Sequence, residues 1–107
     1  MKDLFSIEGK VALVTGGSRG IGAMIARGFA EAGARVYVSS RKAEACEEMA
    51  AELSKVGTAF ALPADLGSEA ECNRLAAELG GREEKLHVLV NNAGANWGAP
   101  FEEYPDA

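Results

Sequence analysis

Residues 10–22 read KVALVTGGSRGIG. An apolar run breaks into glycine, serine and arginine, and the chain resumes at once as AMIARGFAEAG, residues 23–33. The run KVALVTG (10–16) is short and β-rich, as strands covered on both faces are. Residues 20–32 then place Ile21, Ile25, Phe29 and Ala32 at helical spacing, and Gly33 supplies a C-terminal stop. A strand that feeds a helix through glycines leaves unpaired backbone N–H groups at the positive end of the helix dipole, where a phosphate is favoured. Gly16 permits a tight exit from the strand, while Gly20 and Gly22 remove side chains where a pyrophosphate and the facing strand must approach. The spacing is T-G-x-x-x-G-x-G, filled by Thr15, Gly16, Gly20 and Gly22, rather than the commoner G-x-G-x-x-G.

Outward from that loop the hydrophobic period keeps switching. RVYVSS (35–40) predicts a second strand. Cys46, Met49, Ala50 and Leu53 form the next helical stripe, with Glu44, Glu47, Glu48 and Glu52 mostly off it, and Gly57 ends that helix. TAFALPA (58–64) predicts a third strand. Ser68 and Glu71 make an S-x-x-E capping box for a helix that carries Leu75, Ala76 and Leu79 on one face and closes at Gly80 and Gly81. HVLVNNAG (87–94) predicts the fourth strand and its exit, and Pro100 with Glu102 and Glu103 predicts the first turn of one more helix. Strict β-α-β-α-β-α-β alternation implies parallel strands joined by helical crossovers, hence an α/β, doubly wound Rossmann sheet. The 107 residues suit one domain.

Composition narrows the function. The formal net charge is -5, and Lys and Arg form no runs, so a nucleic-acid surface is not expected. No apolar run approaches the ~20 residues of a membrane span. MKDLFSIEGK (1–10) lacks the apolar core of a secretory signal, so a cytoplasmic protein is expected. Cys46 and Cys72 lie far apart with only His87 as an imidazole partner, which points to packed thiols and no metal site.

Three motifs, each at the end of an expected strand, carry a family resemblance: TGGSRGIG (15–22), the Asp65-Leu66 pair, and NNAG (91–94). Together they resemble the short-chain dehydrogenase/reductases over about Lys10 to Trp97, and within them the 3-oxoacyl-[acyl-carrier-protein] reductase group. The resemblance implies that Gly16, Ser18, Arg19, Gly20, Ile21 and Gly22 form the loop for the pyrophosphate and adenosine ribose. It implies that Asp65 hydrogen-bonds the adenine amine beside a main-chain contact at Leu66, and that Asn92, Ala93 and Gly94 lie under the nicotinamide-side ribose. Each residue also has a purely structural reading: Ser18 as a helix cap, Asp65 as a partner for backbone amides, Asn91 as a tie between strands. The three motifs together favour binding.

An NAD site needs an acid at the end of the second strand, roughly 20 residues beyond the glycine loop. Here that end reads SSRK (39–42). With no Asp or Glu from Val36 to Lys42, a 2′-phosphate meets no like charge, and Arg41, with Arg19 from the loop, is placed to pair with it. The expected cofactor is NADP. A solvated surface role for both arginines is the alternative.

The resemblance implies a catalytic Tyr-x-x-x-Lys with a serine and an asparagine, and none of these is found. Tyr37 is followed at that spacing by Arg41 and sits within a strand; Tyr104 falls too soon after NNAG. Trp97 suits either a substrate entrance or a loop anchor, and His87 receives no role. Four strands are half of the family's sheet, which leaves the fourth with an open edge. Residues 1–107 are therefore expected to be the NADP-binding N-terminal part of a longer NADPH-dependent enzyme that reduces a carbonyl, a 3-oxoacyl thioester or similar ketone, and to be inactive alone. The resemblance implies a homotetramer for the full-length protein. A stand-alone NADP-binding module is the alternative, and a Rossmann-like methyltransferase is disfavoured by Arg41 and Lys42 where its acid belongs.

Overall fold

A computed structural model of the chain describes residues 7–16, 20–65 and 67–91. It contains β1 (Val11–Thr15), α1 (Gly20–Glu31), β2 (Arg35–Ser39), α2 (Ala43–Leu53), β3 (Thr58–Ala61), α3 (Glu69–Arg82) and β4 (Val88–Asn91). All strand pairs are parallel and the order is β3-β2-β1-β4. The chain steps from β1 to β2 to β3 in one direction, then returns across the sheet to place β4 on the far side of β1. Right-handed crossovers consequently put α1 and α2 on one face and α3 on the other. One core layer joins Val14, Val36 and Val38 to Ala26, Ala30, Cys46, Ala50 and Leu53; the other joins Val11, Leu13 and Tyr37 to Leu75 and Leu79. Alternate residues of one strand thus serve opposite layers, as the period of two requires. The doubly wound α/β reading holds.

Local boundaries follow the sequence with several corrections. The buried face of α1 is Gly22, Ala26 and Ala30, with Ile25 and Phe29 flanking it, whereas Ile21 is 66% exposed. Small residues face the strands, so the helix axis approaches closely and the large side chains splay to either side. Gly80 and Gly81 do not stop α3, which runs on to Arg82 with Glu83 as its C-cap; a Cβ at either glycine would meet nothing within 4 Å. The chain tolerates the entropic cost of both because Leu75 and Leu79 anchor the helix. Gly57 ends no helix directly: α2 stops at Leu53, and a Cβ on Gly57 would lie 2.2 Å from the Ala30 carbonyl oxygen. Its role is close packing against α1.

Of the remaining signals, Gly33 acts as read, the capping box is half made and β3 ends early. Gly33 (φ 95°) closes α1 with Ala34 N–H donating to Phe29 O (3.0 Å) and Gly33 N–H to Ala30 O (3.1 Å), the paired bonds of a Schellman motif. Ser68 Oγ accepts from Glu71 N–H at 3.3 Å, but Glu71 turns its carboxylate to Asp65 N–H instead of completing the box on Ser68. β3 ends at Ala61, short of the expected 64, although Leu62 N–H and Ala64 N–H still donate to Val38 O and Ser40 O. The helix expected from Pro100 lies outside the described residues.

Candidate functional site

In an open parallel sheet, ligands bind beyond the carboxyl ends of the strands where the strand order reverses. Here the reversal falls between β1 and β4, and Thr15 stands level with Ser39 on one side and Asn91 on the other. The three polar residues form a row at the carboxyl end of the sheet. Thr15 Oγ1 lies 3.1 Å from Asn91 Oδ1 and 3.3 Å from Val90 O, tying β1 to β4 at the crevice. Asn91 accordingly serves as an inter-strand tie. Ser39 is fully buried and its hydroxyl has no hydrogen-bond partner among the described residues.

Gly16 leaves β1 with φ 68° while its N–H donates to Ser39 O at 2.7 Å, which turns the chain sharply out of the sheet. Gly20 opens α1 with φ 65°, a conformation that L side chains rarely adopt, and nothing lies within 4 Å of where its Cβ would stand. The first turn of α1 carries no acid. Its positive dipole end is therefore not neutralised from within the helix. Gly22 is buried against the sheet, and Ile21 projects outward. Ser18 and Arg19, the middle of the loop, lie outside the described residues, as do Leu66, Asn92, Ala93 and Gly94.

At the end of β2, Ser40 Oγ donates to Lys42 O at 3.3 Å, bending the chain into α2. Arg41 is exposed and has no carboxylate partner among the described residues, whereas Arg27, Arg35, Arg74 and Arg82 each pair with a glutamate. Among the described arginines it is the one left uncompensated. Past β3, Asp65 is exposed, and its Oδ1 accepts from Gly67 N–H at 3.0 Å. The structure thus gathers Gly16, Gly20, Gly22, Arg41 and Asp65 at one end of the sheet. Thr15, the first residue of the glycine motif, and Ser39 complete that end, and of the two only Ser39 has no place in a sequence motif. A polar residue closing an apolar strand was its available signal.

At the opposite end of the sheet Glu83 gathers a second polar cluster. Tyr37 OH donates to Glu83 Oε2 at 2.6 Å, and Arg35 Nε and Nη2 donate to the same oxygen at 2.9 and 2.7 Å. His87 Nδ1 accepts from Val11 N–H at 3.0 Å. Tyr37 is thus committed to the far side of the sheet from the glycine loop. The Cys72 thiol is pushed up by burial first and then by the Glu69, Asp65 and Glu71 carboxylates, which keeps it in the poorly nucleophilic thiol form. Cys46 Sγ donates to Val38 O and is buried. Among the described residues no group of three or more His, Cys, Asp or Glu could hold a metal, and no helix is long and apolar enough to cross a membrane.

The short chain dehydrogenase family profile matches residues 10–107. The chain is 57% identical over 105 residues to the rhamnolipids biosynthesis 3-oxoacyl-[acyl-carrier-protein] reductase of Pseudomonas aeruginosa, covering 98% of this chain and 41% of that protein. Among solved structures it is similar to the Pseudomonas aeruginosa RhlG/NADP active-site complex, with TM-score 0.83 and 57% identity over 89% of this chain and 38% of that one. It is also similar to a 7α-hydroxysteroid dehydrogenase complexed with NADH and 7-oxo glycochenodeoxycholic acid, with TM-score 0.82 and 41% identity over 89% of this chain and 38% of that one. The chain therefore spans about two-fifths of the length of the relatives it matches. Because the two solved relatives hold NADP and NADH on the same fold, the fold alone does not choose between the cofactors.

Proposed function

The chain belongs to the short-chain dehydrogenase family, and from that membership we propose that it is the cofactor-binding N-terminal part of a longer NADPH-dependent oxidoreductase that reduces a carbonyl. A 3-oxoacyl thioester or a similar ketone is the substrate this reading favours, on the likeness to a 3-oxoacyl-[acyl-carrier-protein] reductase. The observation that carries the cofactor choice is Arg41, an exposed cation without a carboxylate partner among the described residues, at the end of β2 where an NAD site needs an acid. An unpaired guanidinium offers a planar fork of donors for the 2′-phosphate. The open space over Gly20 among the described residues and the acid-free first turn of α1 fit a phosphate-bearing nucleotide at this end.

In this reading Gly16, Ser18, Arg19, Gly20, Ile21 and Gly22 cradle the pyrophosphate and adenosine ribose, and Arg19 joins Arg41 at the 2′-phosphate. Asp65 and Leu66 receive the adenine, and Asn92, Ala93 and Gly94 lie under the nicotinamide-side ribose. Bound NADPH supplies the hydride. The chain's own residues bind and orient it, and the proton donor for the nascent alkoxide comes from the rest of the longer protein.

The test is a pair of dissociation constants, NADPH and NADH, for variants of the full-length protein. Arg41→Ala should weaken NADPH by about 1.5 to 3 kcal/mol, roughly 10- to 150-fold, and leave NADH nearly unchanged. Arg41→Asp should move the preference toward NADH, since its carboxylate repels the phosphate and accepts from the ribose hydroxyls. Equal losses for both cofactors would remove the NADP assignment.

A further inference from the structure

The geometry points to Arg74 and Glu71 of α3 as positioning residues for Asp65, and this inference rests on the reading of Asp65 as the acceptor for the adenine amine. The β-ladder holds the chain only as far as Ala64, whose N–H donates to Ser40 O. Asp65 is the next residue, exposed, four positions before α3 begins at Glu69. Something other than the sheet must fix it.

The first turns of α3 do so. Arg74 Nη2 donates to Pro63 O at 2.7 Å, and the same guanidinium grips Glu71 with Nε on Oε2 and Nη2 on Oε1, each at 3.0 Å. Glu71 Oε1, held in that fork, accepts from Asp65 N–H at 3.3 Å. Ser68 N–H donates to Asp65 O at 3.2 Å, and Gly67 N–H donates to Asp65 Oδ1 at 3.0 Å. The backbone N–H, the backbone carbonyl and one carboxylate oxygen of Asp65 are therefore all engaged. Its other oxygen, Oδ2, has no partner among the described residues and remains for an external donor. An exposed i,i+3 or i,i+4 ion pair on a helix contributes little by itself, and the Arg74–Glu78 pair at 3.1 Å is of that kind. The bond to Pro63 O differs because it leaves the helix and reaches the backbone two residues before the ligand group. The Glu71 carboxylate is held below its usual range by Arg74 first and by the Asp65 N–H second, so it stays a charged acceptor at neutral pH.

The experiment measures direct binding of NADPH and of its hypoxanthine analogue, in which a carbonyl replaces the adenine amine, to the full-length protein. An oriented Asp65 prefers the amine donor and repels the carbonyl, so the wild type should favour NADPH and Asp65→Ala should lose that preference. Arg74→Ala should lower the preference about three- to tenfold, the worth of one well-placed hydrogen bond, with little change in affinity for the analogue. Glu78→Ala, which removes the other carboxylate on Arg74, should leave the preference intact. If Asp65→Ala removes the preference and Arg74→Ala retains it, the positioning role is overturned while the Asp65 reading stands. If Asp65→Ala retains the preference, the adenine reading itself fails. An equal loss in Glu78→Ala and Arg74→Ala would reduce the effect to general helix charge and overturn the inference. Thermal melts of each variant, unchanged within a few degrees, exclude unfolding as the cause.

Discussion

Gly16 concentrates the logic of the site in one residue. Its φ of 68° is costly for any side chain, and its N–H is bonded to Ser39 O, so the turn out of β1 is fixed from both sides. Gly16→Val would strain the backbone at a β-branched residue and fill the space over the crevice. In the full-length protein that variant should lose NADPH binding by titration calorimetry while keeping the far-ultraviolet signature of the fold; unchanged affinity in a folded variant would show that the loop does not bind phosphate. Gly16, Gly20, Gly22 and Arg41 are legible as candidates because backbone permissiveness and charge are properties of the residue itself, whereas Asp65 is a candidate through the family resemblance. The burial of Ser39 and Thr15 is not legible. It comes from three strands meeting in register, Thr15 with Ser39 and Asn91, a pairing that no single stretch of sequence contains. The partners of Asp65 were hidden for a similar reason: Arg74 lies nine positions on, and only the return of α3 over the sheet brings its guanidinium back to Pro63.

At the scale of an element, glycine has three meanings here, and sequence separates only some of them. Gly33 has a positive φ and ends its helix as a stop signal should. Gly57 is instead required for contact, because the loop after α2 passes over the end of α1 and a Cβ would collide with the Ala30 carbonyl. Gly80 and Gly81 are required by neither conformation nor contact, since both are exposed and helical with open space around them. Gly80→Ala should therefore stabilise the protein by about 0.5 to 1 kcal/mol through helix propensity and a less disordered unfolded chain, whereas Gly57→Ala should destabilise it by about 1 to 3 kcal/mol through overpacking against backbone. Urea midpoints at constant slope measure both, and a destabilised Gly80→Ala would reveal a contact on α3 that the structure lacks. The helical period located α1, yet its apolar stripe pointed at Ile21, Ile25 and Phe29, while the buried face is Gly22, Ala26 and Ala30. Hydrophobicity marks the largest side chains, but a helix lies closest to a sheet through its smallest.

Across the whole molecule the two ends of the sheet carry different work. The carboxyl end gathers the glycines, Arg41 and Asp65, and the amino end is locked by one carboxylate. Glu83, the C-cap of α3, accepts from both Arg35, at the start of β2, and Tyr37. Arg35 also lies 5.1 Å over the Phe60 ring, and Arg82 lies 5.9 Å over Tyr37. The clamp fastens α3 to the central strands on the face where β4 gives partial cover only, with Val88, Leu89 and Val90 half-buried while β1 is buried throughout. Arg35 above all, then Tyr37, hold the Glu83 carboxyl below its usual range, so the stability this clamp contributes is present at neutral pH and is lost as acid protonates Glu83. Burial first, then Glu83, push the Tyr37 phenol above its usual range, so its contribution persists into alkali and is lost as pH rises through that raised value. The ion pair is discounted for solvent because the Arg35 side chain is 43% exposed, while that of Glu83 is only 11% exposed. Glu83→Gln should then cost about 1 to 2 kcal/mol at neutral pH. Measured as the difference in Tm between wild type and variant, the gap should close as pH falls through and below the ordinary carboxylate range. Tyr37→Phe should instead flatten the alkaline limb and leave most of the acid limb in place. A Glu83→Gln gap that stays constant down to strongly acid pH would show that the clamp acts through packing of the α3 cap on Tyr37 and Phe60, and that the charge on Glu83 contributes nothing to the attachment of the helix.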